Sequence, residues 1–197
     1  MVAEVVGDTP HELIRPWVDA DTLHLKICVA DDQGGNYGIG AYVGNGETGN
    51  RAIRVAPFIQ RHACTNSIIW VEGGWEQRHY RVTPAFIFGA IKEKLGQAIG
   101  MATELLEHLV RAEMDKIDDF GVMVERLCKE KGLNQGTRDL VLMGSERAQT
   151  RLGLVNGLSY AAHQVGDPEL AIDLESMAGA ILVGRNSLFS TRDYAER

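Results

Sequence analysis

The sequence contains few of the residues on which small stapled or metal-stabilised proteins depend. Its 197 residues include only three cysteines, Cys28, Cys64 and Cys128, which lie far apart and form no CxxC pair. An odd number of separated cysteines suggests neither a disulfide framework nor a zinc knuckle. We therefore expect each cysteine to be a small buried apolar residue.

Long apolar runs are also missing. No stretch approaches the roughly 18 consecutive apolar residues that a membrane-spanning helix needs. The start, MVAEVVGDTPHELIRPW, has neither the basic region nor the apolar region of a signal peptide. We therefore expect a cytoplasmic protein with no membrane partner.

Motifs that carry catalysis are absent as well. The six histidines show no HExxH, HxH or Hx₃H spacing, and there is no GxSxG elbow or P-loop. GNGETG (44–49) matches GxGxxG, but strand-like residues follow it where a nucleotide loop needs a helix, so Asn-Gly turns are favoured. His62 and Cys64 would share one face of a strand, yet no third group orients them. A non-enzymatic function is favoured, with no metal and no cofactor.

The residues that are present fit an ordinary globular protein with an uneven charge. Hydrophobic residues make up 45% of the chain and charged residues 24%, which is typical of a single folded domain over residues 1–197. The net charge is −7, but residues 51–81 carry +3 from five arginines and two glutamates, which leaves −10 for the remainder. The arginines are Arg51, Arg54, Arg61, Arg78 and Arg81. This segment suits phosphate binding, and equally suits salt bridges within the protein.

The first half of the chain has the patterns of β-strands. TLHLKICVA (22–30) alternates apolar and polar residues, which predicts a strand with one buried face, and a turn at 31–36 leads into a second strand at 37–43. Another strand at 50–57 is expected to stop at Pro57. Residues 67–82 are expected to form a hairpin around Gly73 and Gly74, whose aromatic residues either pack across the strands or form a platform for bases: Trp70, Trp75 and Tyr80.

From Pro84 the apolar period changes to that of helices. The pattern predicts an amphipathic helix of about 28 residues from Pro84, followed by a helix capped by Asp118 and ended by Gly132. Further helices are expected at 134–143, at 146–163 and after Asp167. The predicted fold class is α+β, with an N-terminal antiparallel β-sheet (22–83) packed on a long helix, a helical region (84–186) and a tail (187–197).

Polar residues interrupt the apolar stretch at 52–70, among them Arg61, His62, Thr65 and Asn66. Thr65 and Asn66 precede SIIW, and their side chains could cap a helical turn there. A strand over SIIW is the alternative that we favour. In either case Asn66 is expected to bond backbone groups at the turn.

One segment resembles a known family. Residues 38–70 contain Arg61, His62 and Ala63 followed by Cys64-Thr65-Asn66, which resembles the Arg-x-x-Cys-Thr-Asn motif of the phage/plasmid-like protein family, domain of unknown function 932. The segments at 152–164 and 174–182 resemble that family's two C-terminal helices, the first with Asn156 in its Asn-Ala-x-Thr motif. The resemblance implies a phage or plasmid context, a host cytoplasm, and structural roles for Cys64, Thr65, Asn66 and Asn156.

At the level of fold, a basic strand region followed by a long helix is similar to single-strand annealing proteins such as RecT and Redβ. Two functions follow. The first is a homo-oligomeric, non-enzymatic protein that binds single-stranded DNA during annealing or recombination, through Arg51, Arg54, Arg61, His62, Trp70, Trp75, Arg78 and Arg81. The second is a structural or interaction oligomer of a mobile element, with no nucleic-acid binding.

Overall fold

In the computed structural model, the described residues are 11–18, 22–31, 35–46, 52–63, 66–78, 84–145 and 148–184. The chain divides into two compact units, Met1–Glu104 and Leu105–Arg197. Within the described residues, six strands precede five α-helices, and the strands form an antiparallel sheet. The predicted α+β fold class is confirmed.

The strands are β1 (Glu12–Val18), β2 (Thr22–Asp31), β3 (Tyr37–Gly46), β4 (Ile53–Arg61), β5 (Ser67–Ile69) and β6 (Trp75–Gln77). The helices are α1 (Pro84–Met114), α2 (Phe120–Lys131), α3 (Gln135–Gly144), α4 (Arg151–Gln164) and α5 (Pro168–Leu182). The long helix expected from Pro84 is therefore present and has 31 residues.

The sheet follows chain order from β1 to β4, and both β5 and β6 then pair with β4. β2 and β3 pair with Ile27 opposite Ala41. Of the turn expected between them at 31–36, residues 32–34 lie outside the described residues, and Asp31 belongs to β2. The hairpin expected around Gly73 and Gly74 is wrong. β5 pairs with residues 58–60 of β4, and β6 pairs with residues 53–55, so the two short strands lie end to end along one neighbour.

A 3-10 turn, Val71–Gly73, separates β5 from β6. The following Gly74 lies against the backbone of β4, where a Cβ atom would be 2.4 Å from the carbonyl oxygen of Val55. Glycine at this position therefore allows a close backbone approach rather than a hairpin turn.

Pro57 does not end β4, contrary to the sequence-based expectation, because the strand continues to Arg61. Its carbonyl accepts a hydrogen bond of 3.0 Å from the backbone N–H of Trp70. Backbone N and O of one strand residue point to the same side, so the nitrogen of Pro57 also points away from its β3 partner, Ala41. The nitrogen of Pro57 faces the interval between β5 and β6, where the sheet needs no N–H donor.

One face of the sheet, called here the helix face, packs on the N-terminal part of α1. Leu95 and Ala98 of α1 join the buried cluster with strand residues Leu25, Ile27, Ala41, Val43 and Val55. Period-two alternation in β2 thus predicts the helix face correctly. The expectation of a single buried face is wrong, because His24, Lys26 and Cys28 on the opposite face are buried too.

The edge strand β1 has no counterpart in the sequence-based prediction. Pro16 lies within it, and Arg15 has a positive φ of 46°. The pairing with β2 shifts register between Ile14 and Trp17. Arg15 and Pro16, which lie between them, therefore form an irregularity in the strand. A proline inside an apolar run is tolerated at an edge or a bulge, which explains why simple alternation misses this strand.

The helices of the second unit begin and end through local capping. Asp119, with φ of 52° and no side-chain cap bond, precedes α2, so the prediction that Asp118 caps it is wrong. Gly132 ends α2 with φ of 65°, as expected. α4 starts only at Arg151, later than expected, because the Thr150 side chain accepts from Gly153 N–H. Asp167 caps α5 as predicted.

Candidate functional site

Four residues that the sequence assigns to the nucleic-acid site or its motif lie outside the described residues: Arg51, Cys64, Thr65 and Arg81. The remaining residues of that proposed surface are described. Their positions follow from the register of β4 with its neighbours.

Arg54 and Arg61 lie on the same strand but do not share a surface. They are seven positions apart in β4, an odd number, so their side chains point to opposite faces of the sheet. At about 3.3 Å per residue, they are also separated by roughly 23 Å along the strand. No single backbone of nucleic acid on one face would meet both guanidinium groups.

The environments of the arginines also differ. Arg54 Nε donates to Glu76 Oε2 of β6 at 2.8 Å, so its charge is compensated by a neighbouring strand. Arg78 is exposed just after β6, at the Arg54 end of β4. Among the residues that the structure describes, Arg61 and Arg78 form no ion pair. Basic charge without an ion-pair partner among the described residues therefore lies at two separate positions, Arg61 and Arg78.

The tryptophans are placed as packing residues. Trp70 is 7% exposed, and its ring lies against Gly73, where a Cβ atom would be 2.5 Å from Cδ2. Trp75 packs, partly buried, against the helix-face cluster. Stacking on a base requires an open ring face. The burial of Trp70 therefore gives no support to its proposed role as a platform.

The turn between β4 and β5 contains Asn66. The backbone carbonyl of Asn66 accepts a 2.8 Å hydrogen bond from the backbone N–H of Arg61, and Asn66 is buried. Ser67–Ile69 is a strand, which confirms the interpretation that we favoured for SIIW. Asn156, the other residue taken from the family resemblance, lies half-buried on α4.

The sheet face opposite α1 carries polar side chains that sequence analysis did not assign to a site. We call it the polar face and define it by five buried residues: His24, Lys26, Cys28, Tyr42 and Gln60. His24 Nδ1 lies 2.8 Å from the Tyr42 hydroxyl, and the two rings are nearly parallel with centroids 6.0 Å apart. Alternation of His, Lys and Cys in β2 is the signal for this face, but alternation alone predicts burial only of the apolar side.

A group of reactive side chains lies beside the polar face. His62 Nε2 lies 2.9 Å from Asp31 Oδ1, and both side chains are substantially exposed. The Cys28 sulfur lies on the same side of the sheet, over Gly38. His62 was predicted to contact nucleic acid, whereas the structure pairs it with a carboxylate. We call Cys28, Asp31 and His62 the thiol cluster.

The second unit contains a further buried thiol. Burial raises the pKa of Cys128, and the charge of Arg138 partly opposes this rise. A cavity of about 260 Å³ is lined by Cys128, Arg138 and Lys129, among other residues. A raised pKa keeps the thiol protonated at neutral pH, as expected for a structural cysteine. In the described ranges, no three His, Cys, Asp or Glu side chains are grouped to hold a metal ion.

Comparison of the chain with protein-family models, curated proteins and solved structures gave no match. The resemblances to the phage/plasmid-like family and to annealing proteins therefore stay predictions. Of the helices that the structure describes, none combines the length and apolar character needed to cross a membrane.

Proposed function

We propose that this chain is an interaction protein that self-associates through its edge strand β1. The observation that carries the proposal is the exposure of three large apolar side chains within this seven-residue strand: Leu13, Trp17 and Val18. Most other described strand positions with large apolar side chains are buried. Clustered exposure of this kind is typical of an interaction site.

The exposed residues belong to the edge rather than to one face. Leu13 and Val18 pair with Ile27 and Leu23 of β2, which places them on the helix face. Trp17 pairs with His24 and so points to the polar face. A partner that docks on one face would leave the other side uncovered. Addition of a strand alongside β1 would bring both groups into contact with the partner.

A second copy of this chain suits this edge. Two copies of β1 can pair antiparallel around a two-fold axis, so that one strand supplies both halves of the interface. With the axis between Leu13 and Ile14, Leu13 of each copy would lie opposite Ile14 of the other, and Glu12 would approach the bulged residue Arg15. Opposite charges across paired strands stabilise the arrangement. The proposed assembly is therefore a homodimer with one continuous sheet.

Light scattering after size exclusion tests this proposal at micromolar concentration. We expect the wild-type protein to have at least twice the chain mass of 21.6 kDa. Val18→Lys adds a charge to the edge and should shift the mass toward 21.6 kDa. Val122→Lys on α2 is the matched control, because Val122 is 66% exposed and Val18 is 68% exposed. A monomeric wild type, or equal effects of both substitutions, would contradict the proposal.

Binding of single-stranded nucleic acid is the second candidate, as in a phage- or plasmid-type annealing protein. The observation in its favour is that Arg61 and Arg78 have no acidic partner among the described residues. Each phosphate contact on a single strand contributes about −0.7 to the slope of log K against log salt concentration. Arg61→Ala should therefore weaken binding of a labelled DNA oligonucleotide and flatten this slope by about 0.7.

The two candidates predict different outcomes for the same samples. If β1 association is the function, Val18→Lys changes the mass and no salt-dependent DNA binding is found. If nucleic-acid binding is the function, Arg61→Ala changes the salt slope while the melting temperature stays close to that of wild type. Arg54→Ala is the matched control, because its guanidinium is already paired with Glu76 and should contribute less to the slope.

A further inference from the structure

The thiol cluster is assembled from three consecutive strands. Cys28 and Asp31 lie in β2, Gly38 opposite Asp31 in β3, and His62 directly after β4. A register shift between Cys28 and Ala30 brings Asp31 to the same side of the sheet as Cys28. The backbone N–H of His62 donates to the carbonyl of Asn36 at 2.9 Å, which anchors the histidine beside β3.

Gly38 shows how close the thiol and the imidazole are. A Cβ atom placed on Gly38 would lie 2.5 Å from Cys28 Sγ, 3.2 Å from His62 Cε1 and 3.7 Å from His62 Nε2. The first two distances start from one point, so the sulfur lies no farther than their sum, 5.7 Å, from the ring carbon Cε1. Any side chain larger than glycine at position 38 would displace the sulfur.

The hydrogen bond to Asp31 sets the role of each ring nitrogen. When Nε2 of His62 donates to the Asp31 carboxylate at 2.9 Å, the proton of the neutral ring resides on Nε2. The other nitrogen, Nδ1, then carries a lone pair and can accept a proton. A nucleophile, a base and a group that orients the base are the parts that activate a cysteine.

We propose that Cys28 is a reactive thiol that undergoes disulfide exchange with small disulfides, with His62 as base and Asp31 as positioning residue. The imidazole of His62 accepts the thiol proton as Sγ attacks one sulfur of the small disulfide. The S–S bond of that molecule breaks, and its second sulfur leaves as a thiolate that takes the proton from the imidazolium. The products are a mixed disulfide on Cys28 and one small thiol, so atoms and electrons balance.

The placement of the three groups suits this exchange. Cys28 is 8% exposed, whereas the His62 and Asp31 side chains reach solvent. A small disulfide would therefore approach from the His62 side, and bulky reagents would be excluded. Cys28 pairs with Glu12 of β1, but none of the three residues of the thiol cluster belongs to β1, so the site does not require the proposed self-association.

The test uses the folded full chain and dithiodipyridine, whose released thiopyridone absorbs in the near ultraviolet. Peptide mass spectrometry assigns the modification to individual cysteines over time. We expect Cys28 to react faster than the buried Cys128, and His62→Gln to slow Cys28 by about tenfold or more. The rate at Cys128 should not change, which provides an internal control in every sample.

Asp31 gives a second variant at an exposed position where the fold is expected to persist. Asp31→Asn should slow Cys28 several-fold, and Asp31→Glu, which keeps a carboxylate, should retain most of the wild-type rate. Melting curves check that each variant is folded. The proposal is overturned if Cys28 reacts no faster than Cys128, or if His62→Gln and Asp31→Asn both leave the Cys28 rate unchanged.

Discussion

Arg151 and Asp115 form a largely buried ion pair. Arg151 Nε lies 3.1 Å from Asp115 Oδ2, and the backbone N–H of Arg151 donates to the Asp115 carbonyl at 2.8 Å. The side chains are only 13% and 27% exposed. This double contact holds the start of α4 against the chain that follows α1.

Arg151→Ala should lower the free energy of unfolding by about 2 kcal/mol, because the Asp115 carboxylate would stay partly buried without its counter-ion. Urea denaturation followed by circular dichroism measures this change. Arg126→Ala is the control, since Arg126 forms an exposed pair with Glu130 at 3.4 Å that contributes only about 0.3–0.5 kcal/mol. Equal losses of unfolding free energy in the two variants would show that burial does not strengthen the Arg151–Asp115 pair.

Two helical glycines should respond to alanine in opposite directions. A Cβ atom on Gly157 would lie 2.3 Å from the Val141 carbonyl oxygen, so Gly157→Ala should force α3 and α4 apart and destabilise the protein by about 1–3 kcal/mol. A Cβ atom on Gly100 would meet no atom of another part of the structure within 4 Å, so Gly100→Ala should stabilise α1 by about 0.5–1 kcal/mol. Thermal unfolding of both variants and the wild type measures these changes. A higher stability of Gly157→Ala would contradict the close packing of α3 on α4.

The hydroxyl of Tyr42 should contribute to stability through His24. Tyr42→Phe removes the buried 2.8 Å contact with Nδ1 and should cost about 1–2 kcal/mol in unfolding free energy. Tyr160→Phe is the control, because that hydroxyl donates to a weak acceptor, Met143 Sδ, at 3.4 Å. If chemical denaturation shows the same midpoint for Tyr42→Phe and wild type, the polar face does not rely on this contact.

Cys128 should make stability depend on alkaline pH. Burial raises the pKa of its thiol above the ordinary value of 9.0, so the unfolded chain loses this proton first as pH rises. The stabilisation is present below pH 9.0 and is lost above it, until the folded thiol also ionises. Relative to Cys128→Ala, the unfolding free energy of wild type should therefore fall as the pH rises through 9.0. A pH-independent difference would be inconsistent with this linkage.

Local chemistry was sufficient to predict much of the helical region and the order of sheet and helices. The change of period at Pro84, the positive φ of Gly132 and the cap at Asp167 each depend on residues within one or two turns. Where two caps compete locally, prediction failed: Asp118 and Asp119 are adjacent, and only the folded backbone determines which one precedes α2.

The candidate sites could not be predicted in the same way, because they depend on strand register. Arg54 and Arg61 look like one basic segment in the sequence, but alternation in β4 puts them on opposite faces. Aromatic residues on both sides of Gly73 predict a hairpin. In the structure, β5 and β6 each pair with β4, which is longer than either of them.

By itself, the sequence determined the α+β class, the helix face of the sheet and most helix ends, since each follows from periodicity or capping among near neighbours. Only the tertiary structure decided that the second face of β2 is buried and that His62 meets Asp31, 31 positions away. The physical reason is that a register shift in β2 and the route of β4 bring these residues together. Such long-range pairing has no local signature in the chain.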